Sequence, residues 1–252
     1  MLNYIKFAFY LIPLFIFNIP KLRKIEKHPE SHTEKQAYNF LHKHAKKALS
    51  IVNINLNILG KEKLPKEPVL FVMNHSSMLD SFIVISSIDR PTGVVIADIP
   101  VWRNMPIISH WTKLIKCVYI NRENNREGIK SINEAANNIK NGHNMAIFPE
   151  GDLTWTKDPS ALISDFKPGA LKIAYKANCP IVPLVIKNSK STYDGYQPIG
   201  KIHSMDVEVE CIYQAKEYQS GRYNKYIKIM DGKKHESLYL GNARRDKYES
   251  SI

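Results

Sequence analysis

From residue 69 onward the chain alternates short apolar runs with longer stretches of helical periodicity, and this limits its possible folds more than any other feature. The runs are 69–73 (VLFVM), 93–97 (GVVIA), 117–120 (CVYI), 145–148 (MAIF) and 181–186 (IVPLVI). Between the third and fourth, an Ile129, Ile132, Ala136, Ile139 stripe predicts a helix over 127–140, closed by Gly142. Between the fourth and fifth, 169–177 predicts a second helix ending at Asn178. Strands separated by helices of this length make βαβ units, so the expected fold is α/β, a mostly parallel central sheet flanked by helices. Residues 205–214 (MDVEVECIYQ) alternate polar and apolar and predict a further, edge-like strand.

In a parallel sheet, ligands gather outside the carboxyl ends of the strands. Asn74-His75, Asn121-Arg122 and Pro149-Glu150-Gly151 each follow directly after one of the runs. Although far apart in sequence, they are expected to meet at one edge as one site.

The N-terminal part reads differently. Residues 34–58 carry Ala37, Phe40, Leu41, Ala45, Ala48, Leu49 and Val52 at threes and fours and predict one helix, ended by Gly60. Phe7 to Pro20 is almost wholly apolar, with Lys6 before it and Lys21-Leu22-Arg23-Lys24 after it. As a helix it would span about 20 Å at ~1.5 Å per residue, short of the ~30 Å hydrocarbon core. Pro13 and Pro20 weaken a straight spanning helix further, so a shallow or re-entrant anchor is expected. No small-residue cleavage site follows. The predicted organisation is a membrane-associated helical segment over 1–60 and an αβ domain over 61–252.

Charge supports contact with an anionic surface. The chain carries a formal +12, concentrated in residues 21–47 and 216–247. The apolar N-terminus favours a membrane over nucleic acid, for which no recognised motif is present, and the basic turn beside it suggests the cytoplasmic leaflet. The three cysteines, Cys117, Cys179 and Cys211, form no C-x-x-C pair and fit a reduced compartment.

The chemistry centres on His75 and Asp80. No serine or cysteine nearby sits in a nucleophile elbow, so a His–Asp pair here would activate a hydroxyl of the substrate, as a transferase does. On one continuous helix the two side chains would lie about 140° apart at ~3.6 residues per turn. They meet only if His75 occupies the strand-to-helix turn and Asp80 reaches back from the first helical turns, with Ser76 or Ser77 as N-cap. The carboxylate then fixes the tautomer and the other ring nitrogen takes a proton. The competing structural reading has Asp80 complementing a helix dipole and His75 bonding backbone. Metal binding is not expected, since no third His or Cys ligand stands at a recognisable spacing. Arg122 is either a bidentate phosphate clamp or a surface arginine of a charged loop. Gly151 permits close approach of backbone to a ligand, and Glu150 would bond substrate hydroxyls or hold Arg122. Phe166-Lys167-Pro168-Gly169-Ala170 opens a helix whose amides, with Lys167, would face an anionic group.

Taken in order, Asn74-His75-x4-Asp80, Ile120-x-Arg122, Phe148-Pro149-Glu150-Gly151 and the Val182-Pro183 strand resemble the four sequence blocks of the glycerolipid acyltransferases, in particular the 1-acylglycerol-3-phosphate acyltransferase family. Gly60 to Pro65 resembles that family's lead-in to the first block, and the likeness covers about residues 58–190. It implies an αβ domain with an N-terminal two-helix membrane-binding motif. It also implies His75 as general base, Asp80 as its orienting partner, Arg122 as a phosphate contact, and Glu150 and Gly151 in the block that shapes the acceptor site. The partners implied are a membrane lysophospholipid, most simply 1-acylglycerol-3-phosphate going to phosphatidic acid, and an activated donor: acyl-carrier protein thioester, acyl-CoA or acyl phosphate. No metal or organic cofactor is implied, because the donor is already activated.

The chain departs from the pattern at three places. Lys116 stands where the second block opens with glycine. Asp152, Leu153, Thr154 and Trp155 stand where the third block runs on to threonine and arginine, and Asp98 takes the place of a lysine before the second block. Two cationic contacts are therefore missing, for which Lys116, Arg103 or Lys113 are candidate replacements. A different lysolipid acceptor, or a non-catalytic membrane-binding module of the same fold, is the alternative these changes raise.

Overall fold

The computed structural model describes residues 2–27, 33–104, 106–153, 166–194 and 201–211. In chain order the elements are α1 (Leu2–Lys27), α2 (Thr33–Ile51), β1 (Ile54–Leu59), β2 (Leu70–Met73), α3 (Asp80–Ser87), β3 (Thr92–Ala97), α4 (Pro100–Asn104), α5 (Pro106–Leu114), β4 (Val118–Ile120), α6 (Asn125–Lys140), β5 (Asn144–Ile147), α7 (Pro168–Ala177), β6 (Ile181–Lys187), β7 (Tyr193–Asp194), β8 (Lys201–Ile202) and β9 (Met205–Cys211). The main sheet runs β1-β9-β6-β2-β5-β3-β4, while β7 and β8 form a small antiparallel pair. From β6 to β4 all neighbours are parallel, and β9 turns antiparallel against β6. The five expected strands are all present, and the fold is the mostly parallel α/β sheet that their spacing predicts.

The pleat sorts side chains to two faces. Phe71, Met73, Val94, Ala146, Val182 and Leu184 point to the face that α1 to α3 cover. Leu70, Val72, Val95, Met145, Ile147 and Ile181 point to the face under α6 and α7. Burying strands on both sides explains why β2 and β5 are buried throughout. The helices carry matching local signals. Asn124 caps α6 by accepting from the Arg126 and Glu127 amides, and Asn178 ends α7 in the left-handed conformation at φ 53°.

Three expectations need correction. The helix predicted over 34–58 ends at Ile51, because Asn53 takes φ 55° and breaks it; 54–59 becomes β1, parallel to β9. Strand β9 is consequently internal, lying between β1 and β6, and not an edge. Residues 212–214 and the basic zone 216–247 lie outside the described residues. Third, α1 runs unbroken through Pro13 and Pro20 for 26 residues, about 39 Å at ~1.5 Å per residue. Leu2–Ile25 is long and apolar enough to cross a membrane by length and composition. Burial of Phe7, Leu11 and Leu22 along one side of α1 supplies the packing that offsets the prolines. Its opposite side carries exposed Leu2, Ile5, Phe9, Ile12, Ile16 and Phe17, of which Phe9 and Phe17 are 79% and 81% exposed.

Candidate active site

Strand β2 ends at Met73 and α3 begins at Asp80, so His75 occupies the intervening turn, as the 140° argument requires. Asn74 fixes the entry to that turn. Its side-chain amide donates to the Ile186 carbonyl at 2.9 Å and its Oδ1 accepts from the Ile186 amide at 2.8 Å, tying the turn to β6. Asp80 Oδ2 accepts from the Ser76 amide at 2.7 Å and the Ser77 amide at 2.8 Å, and lies 3.0 Å from His75 Nδ1. Asp80 is fully buried, and its Oδ1 makes no hydrogen bond. The carboxylate thus bonds the turn before α3 and does not cap the helix, and neither serine is its N-cap. The residue before α3 is Leu79, with no side-chain cap bond, while Ser77 Oγ accepts from the Leu79 amide and meets Thr192 Oγ1 at 2.8 Å.

This arrangement decides the tautomer. A carboxylate only accepts, so Nδ1 carries the proton toward Asp80 and Nε2 becomes the proton-accepting nitrogen. The imidazole is 21% exposed and stacks on Phe148 with ring centroids 4.1 Å apart. Below it, the His75 amide donates to Glu150 Oε1 at 2.7 Å. Glu150 is fully buried, so the turn after β5 grips the turn after β2 through this bond. No cysteine near the site supplies a thiolate, for burial pushes the Cys117 and Cys179 thiols up to about 12.

Arg122 comes to the same edge from the end of β4. It lines a cavity of about 470 Å³ with Asn121, Phe148, Pro149, Gly151, Lys167 and Lys172, between the sheet and the facing helices α6 and α7. Burial strips water from the guanidinium and lowers its pKa, while Asp152 opposes that shift from 3.9 Å. All five expected site residues, His75, Asp80, Arg122, Glu150 and Gly151, thus converge on the carboxyl ends of β2, β4 and β5. Ile129, predicted as core, is instead 55% exposed and walls this cavity.

On the opposite face is a second cavity, also of about 470 Å³ and almost wholly apolar. Leu11 and Phe15 of α1, Phe82 and Ile85 of α3, Val94 and Ile96 of β3, and Trp111 of α5 form its walls. Because α3 starts at Asp80, this cavity and the His75 turn share a helix. Sequence reasoning did not find it, since residues 100–114 were given no element and their helices bring Trp111 and Ile115 inward. Phe148 ends the apolar run 145–148 in sequence, and the stacking of its ring on His75 is visible only in the structure. Among the described residues no three His, Cys, Asp or Glu side chains form a metal-holding group.

Comparison with known proteins places this geometry. The family model described as Acyltransferase matches residues 55–187. A protein of Mycoplasma pneumoniae named as a probable 1-acyl-sn-glycerol-3-phosphate acyltransferase is 32% identical over 187 residues, covering 71% of this chain and 68% of that protein. The 1-acyl-sn-glycerol-3-phosphate acyltransferase of Saccharomyces cerevisiae is 28% identical over 142 residues, 56% of this chain and 46% of that protein. The chain thus spans about half to two thirds of the length of these relatives. A crystal structure of the 1-acyl-sn-glycerophosphate (LPA) acyltransferase from Thermotoga maritima superposes with a TM-score of 0.71 at 19% identity, covering 91% of this chain and 92% of that one. At that identity the likeness speaks for the fold.

Proposed function

The chain belongs to the acyltransferase family, and from that premise we propose that it moves a fatty acyl group from an activated donor to the free hydroxyl of 1-acylglycerol-3-phosphate, giving phosphatidic acid. The observation that carries this reading is the His75 Nδ1 to Asp80 Oδ2 contact at 3.0 Å, braced by the Ser76 and Ser77 amides. It orients a base, and on this reading the nucleophile is the acceptor's own hydroxyl.

Nε2 of His75 takes the hydroxyl proton as the oxygen attacks the acyl carbonyl carbon. Asp80 stabilises the imidazolium that forms. The tetrahedral intermediate collapses by breaking the bond to the donor's sulfur, or to its phosphate oxygen if the donor is an acyl phosphate. The proton on Nε2 then goes to the leaving group. Atoms and charge balance without a metal or redox partner. Glu150 positions His75 through its backbone amide, and Arg122 and Gly151 shape the end that receives the phosphate. The apolar cavity beside α3 suits an acyl chain.

The helices α1 and α2 act as the membrane-binding unit. Packing along α1 joins it to α2 and α5 over its length, so its exposed apolar side would enter the interface while the sheet stays in water. Exposed Lys21, Arg23 and Lys24 near its end favour the anionic cytoplasmic leaflet. The direct test is transfer from labelled acyl donors to lysophosphatidic acid by purified protein, with His75→Ala as control. Labelled phosphatidic acid from the parent alone is the expected result. No product from any donor, or equal product from the variant, would overturn the reading.

A further inference from the structure

The cavity that holds Arg122 contains more positive charge than the four blocks supply. Lys167 and Lys172 line it as well, and Asp152, 3.9 Å from Arg122, is largely exposed. Where the family pattern runs on from the third block to threonine and arginine, this chain has Asp152 to Trp155, with no arginine among them and Leu153 buried. The replacement cations considered from sequence do not line this cavity. Arg103 pairs with Asp98 at 3.0 Å and lies over the Tyr119 ring, and Lys113 and Lys116 belong to the end of α5 and the turn after it.

Lys167 does reach the site. Its amide donates to the Pro149 carbonyl at 2.8 Å, fixing the start of α7 against the Phe148–Gly151 turn. The side chain then passes over Gly151. A methyl group on that residue would stand 2.8 Å from Lys167 Cε and 2.9 Å from Cδ and Nζ. Gly151 also has φ +77°, which side-chain-bearing residues rarely adopt, so the turn has both the bend and the open surface that the lysine needs. Lys167, laid over the turn after β5, and Arg122, from the end of β4, thereby line the same cavity, together with the Phe148 whose ring stacks on His75.

We propose that Lys167, laid across Gly151 and lining the same cavity as Arg122, is the specificity-determining cation for the acceptor's phosphomonoester. This rests on the acyl-transfer reading for its substrate, though not for the anion site itself. A phosphomonoester carries close to two negative charges at neutral pH, so two converging cations match it better than a phosphodiester with one, or than a neutral headgroup. Lys172 lies farther along α7 and contributes less.

The test compares kcat and KM of the parent, Lys167→Met, Lys167→Arg and Lys172→Ala on three acceptors: lysophosphatidic acid, lysophosphatidylglycerol and monoacylglycerol. For Lys167→Met, KM for lysophosphatidic acid should rise roughly 10- to 100-fold, the span of a lost charge-assisted hydrogen bond. The kcat should change little, the monoacylglycerol reaction should be unaffected, and Lys167→Arg should restore most of the loss. A phosphorus NMR titration of glycerol 3-phosphate against parent and Lys167→Met reads the anion site without turnover. Equal binding by both proteins, or an equal loss on all three acceptors, would overturn the inference. Phosphate binding that depends on Lys167 in a protein that transfers no acyl group would uphold it and sink the transfer reading instead.

Discussion

Two cavities of equal size, about 470 Å³ each, flank the carboxyl edge of the sheet, and their walls have opposite chemistry. The one under α6 and α7 gathers Arg122, Lys167 and Lys172 around the glycine turn after β5. The one under α1, α3 and α5 offers Leu11, Phe15, Phe82, Ile85 and Trp111. His75 is stacked on Phe148, which lines the first, and is followed by α3, which walls the second. A lysolipid has the same division, a charged head and an apolar tail joined at the glycerol that bears the reacting hydroxyl. On the proposed reaction, this difference would sort head from tail and so present one hydroxyl to His75.

The largest expected effect removes the base itself. His75→Ala should lower the transfer rate by about 100- to 10,000-fold, the usual worth of a positioned general base. Phosphate binding by NMR should persist, because the imidazole does not line the cationic cavity. Loss of both together would mean that the two cavities and the base are not separable parts.

Next comes the helix that walls only the apolar side. Replacing exposed Phe9 and Phe17 with aspartate removes two side chains, each worth ~1.5–3 kcal/mol if buried in lipid, so binding to anionic vesicles should fall by about 100-fold or more. Sedimentation with vesicles measures this, and transfer to detergent-dispersed lysolipid should change far less. Unchanged vesicle binding would leave α1 as a packing element only.

A smaller effect separates tail from head. Ile85→Trp should fill part of the apolar cavity without touching Arg122 or Lys167. If it excludes two methylene groups at ~0.8 kcal/mol each, long-chain activity should fall roughly tenfold relative to short-chain activity. A chain-length series measured on each headgroup checks it. Headgroup preference that moved along with chain length would break the division.

Much of this was legible from the chain. The five apolar runs and the positions of His75, Arg122 and Gly151 directly after them were enough to place one site at one sheet edge, because side-chain direction and strand polarity follow from local sequence. The apolar cavity was not legible. Its walls come from α1, α3, β3 and α5, whose meeting is decided by tertiary packing; Trp111, Leu114 and Ile115 stand at helical spacing in the chain, but that spacing does not say which elements α5 will face. Strand β1 was missed for a different reason. Ile54-Asn55-Leu56-Asn57-Ile58 alternates, but the helical pattern before it runs on through Val52, and only the left-handed turn at Asn53 separates them. Lys167 was visible as a cation at a helix start, yet the way it crosses Gly151 is a matter of three dimensions.

The smallest effect concerns a residue in neither binding face. Lys116 adopts φ 60° in the turn before β4, the left-handed region where the family pattern has glycine. A side-chain-bearing residue there costs about 1–2 kcal/mol, and glycine gives back part of the gain as entropy of the unfolded chain. Lys116→Gly should therefore stabilise the protein by up to about 1 kcal/mol, or roughly 2–4 °C in Tm, if unfolding is reversible. The lysine side chain lines neither cavity, so headgroup and chain-length preference should both stay as they are. A change in headgroup preference would instead give Lys116 a part in the anion site, and Lys167 would no longer account for it with Arg122.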